Sequence, residues 1–202
     1  MPERSLPLEP LLPHRDTPGT GVHRLEAGAG WADPGSLRLR YALEADPGRV
    51  CLPPQVKGAG RADRLWRHTC FEAFIGHADS PGYLELNFSP SGEWAAYRFE
   101  SYRQGMAQAQ LPQPPRLTVR GGEGRLELEA EVDLAAELPR LPRAAIGTGT
   151  ANGTLRIALS TVVEDRDGGL SYWALRHPAG RPDFHHPDGF TLELSFPWNP
   201  AP

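Results

Sequence analysis

The residues whose types and spacing could do chemistry fall in two stretches, Trp66 to Arg103 and Tyr172 to Phe190. In the first, Leu65-Trp66-Arg67-His68-Thr69-Cys70-Phe71-Glu72-Ala73-Phe74-Ile75 reads as an extended segment. Side chains alternate across a strand, so His68, Cys70, Glu72 and Phe74 share one face and Thr69, Phe71, Ala73 and Ile75 the other. The second set is the natural core face. His68 and Glu72 are left on a partly polar surface, as an acid-base couple or as an ordinary cross-strand polar pair. The next residues, Tyr83 to Phe99, form a hairpin around Ser89-Pro90-Ser91-Gly92, with Glu85 and Asn87 on one face of the first arm and Tyr97 and Phe99 on one face of the second. Tyr102 and Arg103 extend this chemistry. Flat aromatic surface beside fixed polar groups is what sugar recognition needs, and Trp66, Arg67, Glu72, Asn87 and Arg98 supply it. The plain alternative for Trp66 and Trp94 is packing inside a β-fold.

The late stretch runs from Tyr172-Trp173 through His177-Pro178 to Arg181-Pro182-Asp183-Phe184-His185-His186-Pro187-Asp188-Gly189-Phe190. Its prolines and glycines shape a loop. Asp183, His185, His186 and Asp188 could bind a divalent metal, but their spacing on no regular element matches a known ligand set, and loop-fixing hydrogen bonds are the alternative. No catalytic residue stands out. Ser89 and Ser160 lack a nucleophile-elbow context, and the Gly147 to Gly153 stretch has no lysine or following helix to hold a phosphate. Glu72 and Glu85 could serve glycoside hydrolysis, and Glu72 with His68 could act as acid and base, yet such pairs are common in charged β-proteins. A binding role is therefore expected ahead of an enzymatic one.

The elements that must position these residues are strands. Leu37 to Leu43 alternates apolar and polar residues as a half-buried strand does. Comparable segments are His68 to Ile75, Tyr83 to Phe88, Glu93 to Phe99, Arg125 to Val132, Thr154 to Val163, Leu170 to Leu175 and Phe190 to Phe196. Ser91-Gly92, Gly121-Gly122, Asn152-Gly153, Asp167-Gly168-Gly169 and Asp188-Gly189 supply tight turns between them. Only Asp133 to Leu138 and Glu100 to Gln110 could hold helical turns. Without βαβ alternation there is no parallel nucleotide-binding sheet. The expectation is an all-β, two-sheet antiparallel sandwich over residues 1–202 as one domain, with an extended segment at 1–20 and a proline-rich loop at 111–116.

Composition narrows the partners. The chain combines 22 glycines and 22 prolines with five tryptophans, seven phenylalanines and five tyrosines set in alternating segments, which favours a folded, turn-rich protein over disorder. A formal charge of −4 offers no broad positive field, so nucleic acid and anionic membranes are not expected partners. The first ten residues have no basic start followed by an apolar run, so a cytoplasmic location is expected and Cys51 and Cys70 read as reduced, buried thiols.

Three segments, LWRHTCFEAFIG, YLELNFSPSGEWAAYRFESYRQGM and SYWALRHPAGRPDFHHPDGF, resemble the bacterial DOMON-like proteins related to family 9 carbohydrate-binding modules, and the resemblance extends from about Leu37 to Phe196. It implies a β-sandwich whose relatives bind sugars or haem on a concave face. In the sugar-binding relatives a terminal saccharide is gripped between two tryptophans, for which the matching positions are Trp66 and Trp173, with Arg67, Glu72 and Asn87 as companions. In the haem-binding relatives a methionine and a histidine are the axial ligands, for which Met106 and His177 are the candidates. The leading expectation is a non-catalytic domain for a carbohydrate or sugar-containing small molecule, with Arg98 as a further polar reader and no cofactor. A haem or metal module is the alternative.

Overall fold

The computed structural model describes residues 6–17, 21–78, 80–141 and 154–196. The described strands are β1 (Glu9–Pro10), β2 (Leu12–Pro13), β3 (Val22–Asp33), β4 (Ser36–Ala45), β5 (Val50–Cys51), β6 (Cys70–His77), β7 (Tyr83–Phe88), β8 (Trp94–Phe99), β9 (Ala107–Gln108), β10 (Arg116–Gly122), β11 (Arg125–Asp133), β12 (Thr154–Asp165), β13 (Leu170–Ala174) and β14 (Leu192–Ser195). They form two antiparallel sheets. The smaller has the order β1-β3-β4-β11-β10, and the larger β2-β13-β12-β6-β7-β8-β9, with β5 and β14 also pairing to β12. Three short 3-10 turns, Leu65–Arg67, Leu138–Arg140 and Pro187–Gly189, are the helical content of the described residues. None of their helices is long and apolar enough to cross a membrane.

Alternation decides which faces meet. Along β4, Leu37, Leu39, Tyr41 and Leu43 are buried and point at the larger sheet, which answers with Phe71, Ala73 and Ile75 from β6, Leu84, Leu86 and Phe88 from β7, and Leu155, Ile157 and Leu159 from β12. The Tyr41 ring lies 5.1 Å from that of Phe71, and its hydroxyl donates to the Glu72 carbonyl at 2.8 Å. A buried phenol thus finds its acceptor on the opposite sheet and pins β6 from beneath.

The chain crosses between the sheets twice in instructive ways. β1 pairs with β3 and β2 with β13, so the N-terminal segment runs from the small sheet to the large one with Leu11 in the core between them. Gly28 permits the first contact, since a Cβ there would sit 2.2 Å from the Pro7 carbonyl oxygen. The proline-rich connection joins β9 of the large sheet to β10 of the small one.

Several boundaries differ from the sequence expectation. β3 is a strand beyond those the alternation marks: its Ala27-Gly28-Ala29-Gly30 run lacks bulky alternation, yet it pairs with β4 along almost its whole length. β6 starts at Cys70, because the Leu65–Arg67 turn takes up the residues before it. Residues 100–110 hold no helix; Arg103 and Gly105, with φ of 54° and 64°, turn the chain tightly into β9. Cys51 is exposed, whereas Cys70 is buried, and both are free thiols. The Asn152-Gly153 turn and the Gly147 to Gly153 stretch lie outside the described residues.

Candidate functional site

The large sheet turns a second face away from the core, and the register places the chemistry on it in rows. One row crosses four strands as Ser160, Glu72, Asn87 and Ala95; the next runs Ala158, Phe74, Glu85 and Tyr97. Directly opposed side chains on one face lie about 5 Å apart, so these residues form a continuous surface. It is not wet. Glu72 is 3 % exposed, Asn87 0 % and Ser160 1 %. Leu65 and Phe190, with Ala62 and Phe184 beside them, pack onto Phe74, Tyr97, Phe99 and Ala158 from the segments on either side.

The row of Ser160, Glu72 and Asn87 carries unmet polar demand. Glu72 Oε1, Asn87 Oδ1 and Ser160 Oγ are buried without a hydrogen-bond partner. The Asn87 amide donates to Glu85 Oε1 at 2.7 Å, which orients its unmet oxygen. Burial, with Glu85 beside it, pushes the Glu72 carboxyl well above the usual range. Burial raises Glu85 too, while the Asn87 amide and the Arg103 charge pull it back. Two carboxyl groups on adjacent strands in a dry surface resist double ionisation. Buried polar atoms in native proteins are almost always satisfied, so unmet acceptors aligned on one face are where a ligand's donors would be worth most.

A hydrogen-bonded clasp borders this face. Tyr83 Oη lies 2.8 Å from His185 Nδ1 and accepts the Arg103 backbone N–H at 3.2 Å. Arg103 Nη2 donates to Asp183 Oδ1 at 2.7 Å, and the Tyr102 hydroxyl donates to Asp183 Oδ2 at 2.5 Å. Burial opposes ionisation of Asp183, but the bonds from Tyr102 and Arg103 outweigh it and hold the carboxyl below its usual range. His185 is pushed down to about 4, first by burial and then by the Arg103 charge, so it is neutral at pH 7. Burial lifts Tyr83 to about 12. The clasp ties the loop around residue 184 to the turn after β8.

The residues singled out from sequence do not all meet. Glu72 and Asn87 stand together, and Trp66 stands beside them at the rim, 38 % exposed with its ring edge-on to Tyr97 at 6.1 Å. Trp173 is on the opposite face of the same sheet. It pairs with Thr161, which pairs with Phe71, so alternation sends its indole into the core between the sheets, where Nε1 donates to Ser171 Oγ at 3.0 Å. The two tryptophans therefore cannot grip one ligand between them. Arg98 pairs with the core residue Leu84 and donates to Glu137 Oε2 at 3.0 Å, which makes it a partner for a fully buried carboxylate, away from the Glu72 face. His68 sits before β6, exposed and 2.8 Å from Glu164. Four residues of extended chain separate it from Glu72 by about 13 Å, too far for direct proton exchange. Arg67 is exposed on the turn that carries Trp66.

The late histidines and aspartates serve the loop. Asp183 and His185 belong to the clasp, and His186 accepts from the Asp188 backbone N–H at 3.2 Å. Among the described residues no group of three His, Cys, Asp or Glu side chains could hold a metal. His177 lies 2.9 Å from the Leu12 carbonyl and stacks edge-on against His14, tying the N-terminal segment to the sheet. It follows β13, whereas Met106 precedes β9, five strand positions away in the large sheet. At about 4.8 Å per position that separation is about 24 Å, which no single iron can span.

Ser160, Tyr83 and His185 were not recognised as members of the face from sequence. The available signal was cross-strand register, and one strand's alternation does not reveal which neighbour lies alongside. A small depression of about 90 Å³ lined by Gly76, Tyr83, Tyr102, Arg156, His185 and Pro187 opens on the same face beyond the clasp.

No protein-family model matches the chain, and no curated protein matches it. Solved structures do. A Bacteroides uniformis protein named as a candidate carbohydrate-binding protein superposes with a TM-score of 0.63 at 16% identity, covering 95% of this chain and 86% of that one. A family 9 carbohydrate-binding module from Caldicellulosiruptor kristjanssonii, in complex with glucose, gives a TM-score of 0.50 at 12% identity, with 93% of this chain and 83% of that one covered. The same organism's family 9 module in complex with cellotriose gives 0.53 at 10% identity, covering 94% and 82%. At these identities the likeness is one of fold: an all-β sandwich of the family 9 module type.

Proposed function

We propose that this protein is a non-catalytic carbohydrate-binding domain whose site is the outer face of the large sheet. The observation that carries the reading is the row of Ser160, Glu72 and Asn87, whose unmet acceptors line a buried surface flanked by the Trp66 and Tyr97 rings. A sugar brings what such a surface needs: several hydroxyl donors for fixed acceptors and an apolar ring face for an indole. The fold shared with modules solved in complex with glucose and cellotriose supports the same class of ligand. Binding here uses one exposed tryptophan as platform, with the polar row as reader. An acid-base pair of His68 and Glu72 is not assembled, because His68 lies before β6 beside Glu164, about 13 Å along the chain from Glu72.

Titrating mono- and disaccharides while following tryptophan fluorescence tests the proposal. A saturable signal is expected, and Trp66→Ala should weaken binding at least tenfold, about 1.4 kcal/mol. Trp173→Ala is not a test of the site, since that residue packs the core. Absence of binding at millimolar sugar, or affinity unaltered in Trp66→Ala, would overturn the reading.

A further inference from the structure

The segment from Arg61 to His68, which carries the exposed Trp66, holds three arginines and one aspartate in a chain whose formal charge is −4. On the small sheet Arg38, Arg40 and Arg116 are each paired with a glutamate. Here, among the described residues, none of the three arginines is in an ion pair. Arg61 is committed to the backbone: its guanidinium donates to the Ala96 carbonyl at 3.0 Å and the Ala109 carbonyl at 2.8 Å, and lies 4.4 Å from the Trp94 ring centre. Asp63, the one acid, accepts the Tyr97 hydroxyl at 2.6 Å. Arg64 and Arg67 are exposed, and their guanidinium groups have no partner among the described residues. The Arg67 backbone N–H donates to the Arg64 carbonyl at 3.1 Å, so the two stand one 3-10 turn apart with Trp66 between them. Leu65 is buried and anchors the turn. Arg64 holds a left-handed backbone with φ of 63°, a conformation that strains a residue with a side chain and that clusters at ligand sites.

We propose that this rim selects acidic sugars, with the ring of a uronic acid against Trp66 and its carboxylate on the guanidinium groups of Arg64 and Arg67. The inference rests on the carbohydrate reading above, but it uses only the exposed turn and needs no access to the buried row. A guanidinium is planar and always charged, and its donors match the two oxygens of a carboxylate in charge-assisted bonds about twice as strong as neutral ones. Neither arginine has to give up an ion pair to make them. The acids of the neighbouring face do not oppose the ligand, because burial holds the Glu72 and Glu85 carboxyls toward their uncharged forms. A neutral sugar offers the arginines no countercharge. An amino sugar is repelled by them.

Calorimetric titration with glucose, glucuronic acid, glucosamine and acetate at pH 7 decides the matter, the sugar carboxyl being ionised there like other carboxyls of pKa near about 4. Glucuronic acid is expected to bind at least tenfold tighter than glucose, about 1.4 kcal/mol, with glucosamine no better than glucose and acetate silent. Raising the ionic strength from about 0.01 M to about 1 M shortens the Debye length from about 30 Å to about 3 Å, and should cut the glucuronic acid advantage while leaving glucose binding little changed. Arg67→Gln should shrink that advantage to under about threefold. So should Arg64→Asn, chosen because asparagine tolerates the left-handed backbone. Far-ultraviolet dichroism checks that each variant is folded. Equal affinity for glucose and glucuronic acid overturns the acidic selection and leaves the carbohydrate reading standing, and so does an advantage that survives in both arginine variants. Acetate binding as well as glucuronic acid overturns the sugar half of the inference, and failure of every sugar overturns both readings.

Discussion

The two sheets follow the same alternation, yet their outer faces treat charge in opposite ways. On the small sheet the outward residues of β4, β10 and β11 form a ladder of exposed and half-exposed ions. Arg40 meets Glu127 at 3.3 Å, Arg38 lies 3.6 Å from Glu129, and Arg116 pairs with Glu131. Glu127, Glu129 and Glu131 in that ladder each have an arginine partner. On the large sheet the outward residues of β6 and β7 place Glu72 and Glu85 near one another under the covering loops, and the Arg103 guanidinium that acts on Glu85 is ion-paired to Asp183 instead. The difference teaches that a polar outward face is not by itself a functional face. What marks the large sheet is that its charges are desolvated and short of partners, a state that costs free energy unless something else satisfies it.

The largest expected effect that would sharpen this contrast lies in the clasp. His185 is neutral in the fold at pH values where an unfolded histidine, with its pKa of about 6.5, takes up a proton. The unfolded state therefore binds more protons between about pH 6.5 and 4, and stability falls as the pH falls through that window. Integrated over the shift, the loss is on the order of 3 kcal/mol. Denaturant titrations at pH 7 and 4.5 should show a much smaller loss for His185→Gln than for the parent protein, and an equal loss would mean that the clasp does not bury this ring.

Glu72 carries the opposite sign. A carboxyl whose pKa is raised on folding keeps its proton after the unfolded chain has lost it, so the native state loses stability as the pH rises above about 4.3. Glu72→Gln should remove that slope and raise stability at pH 8, by on the order of 1 kcal/mol, while leaving it little changed at pH 4. A decrease at pH 8 would mean that Glu72 is well solvated or paired, and the contrast between the faces would collapse. The smallest effect belongs to the small sheet. Glu127→Ala should cost no more than about 0.5 kcal/mol, and added salt should erase most of it, because half-exposed pairs gain little over their hydrated forms.

Much of this was legible in the sequence, and the limits have particular causes. Alternation along Leu37 to Leu43 and Phe71 to Ile75 correctly assigned core and outer faces, and the hairpin at Ser91-Gly92 lies between β7 and β8 as its turn chemistry demands. β3 was hidden because alanine and glycine carry no alternation signal. Trp173 shows the harder limit: its indole looked like a platform because tryptophans on sugar-binding surfaces do, but the residue's parity on β13, set against Thr161 and Phe71, sends it inward. Arg98 failed as a reader for the same reason, since it is one residue out of phase with Tyr97.

By itself, then, the amino-acid sequence determined that this chain folds into antiparallel strands and that polar and aromatic groups gather near residues 66–103 and 172–190, because period, turn residues and composition act locally. Only the tertiary structure decided which of those groups meet. Ser160 lies about 70 residues or more beyond Glu72 and Asn87 in the chain and becomes their neighbour only when β12 pairs with β6. That pairing, together with the loops that exclude water from it, turns ordinary polar residues into a row of unmet acceptors.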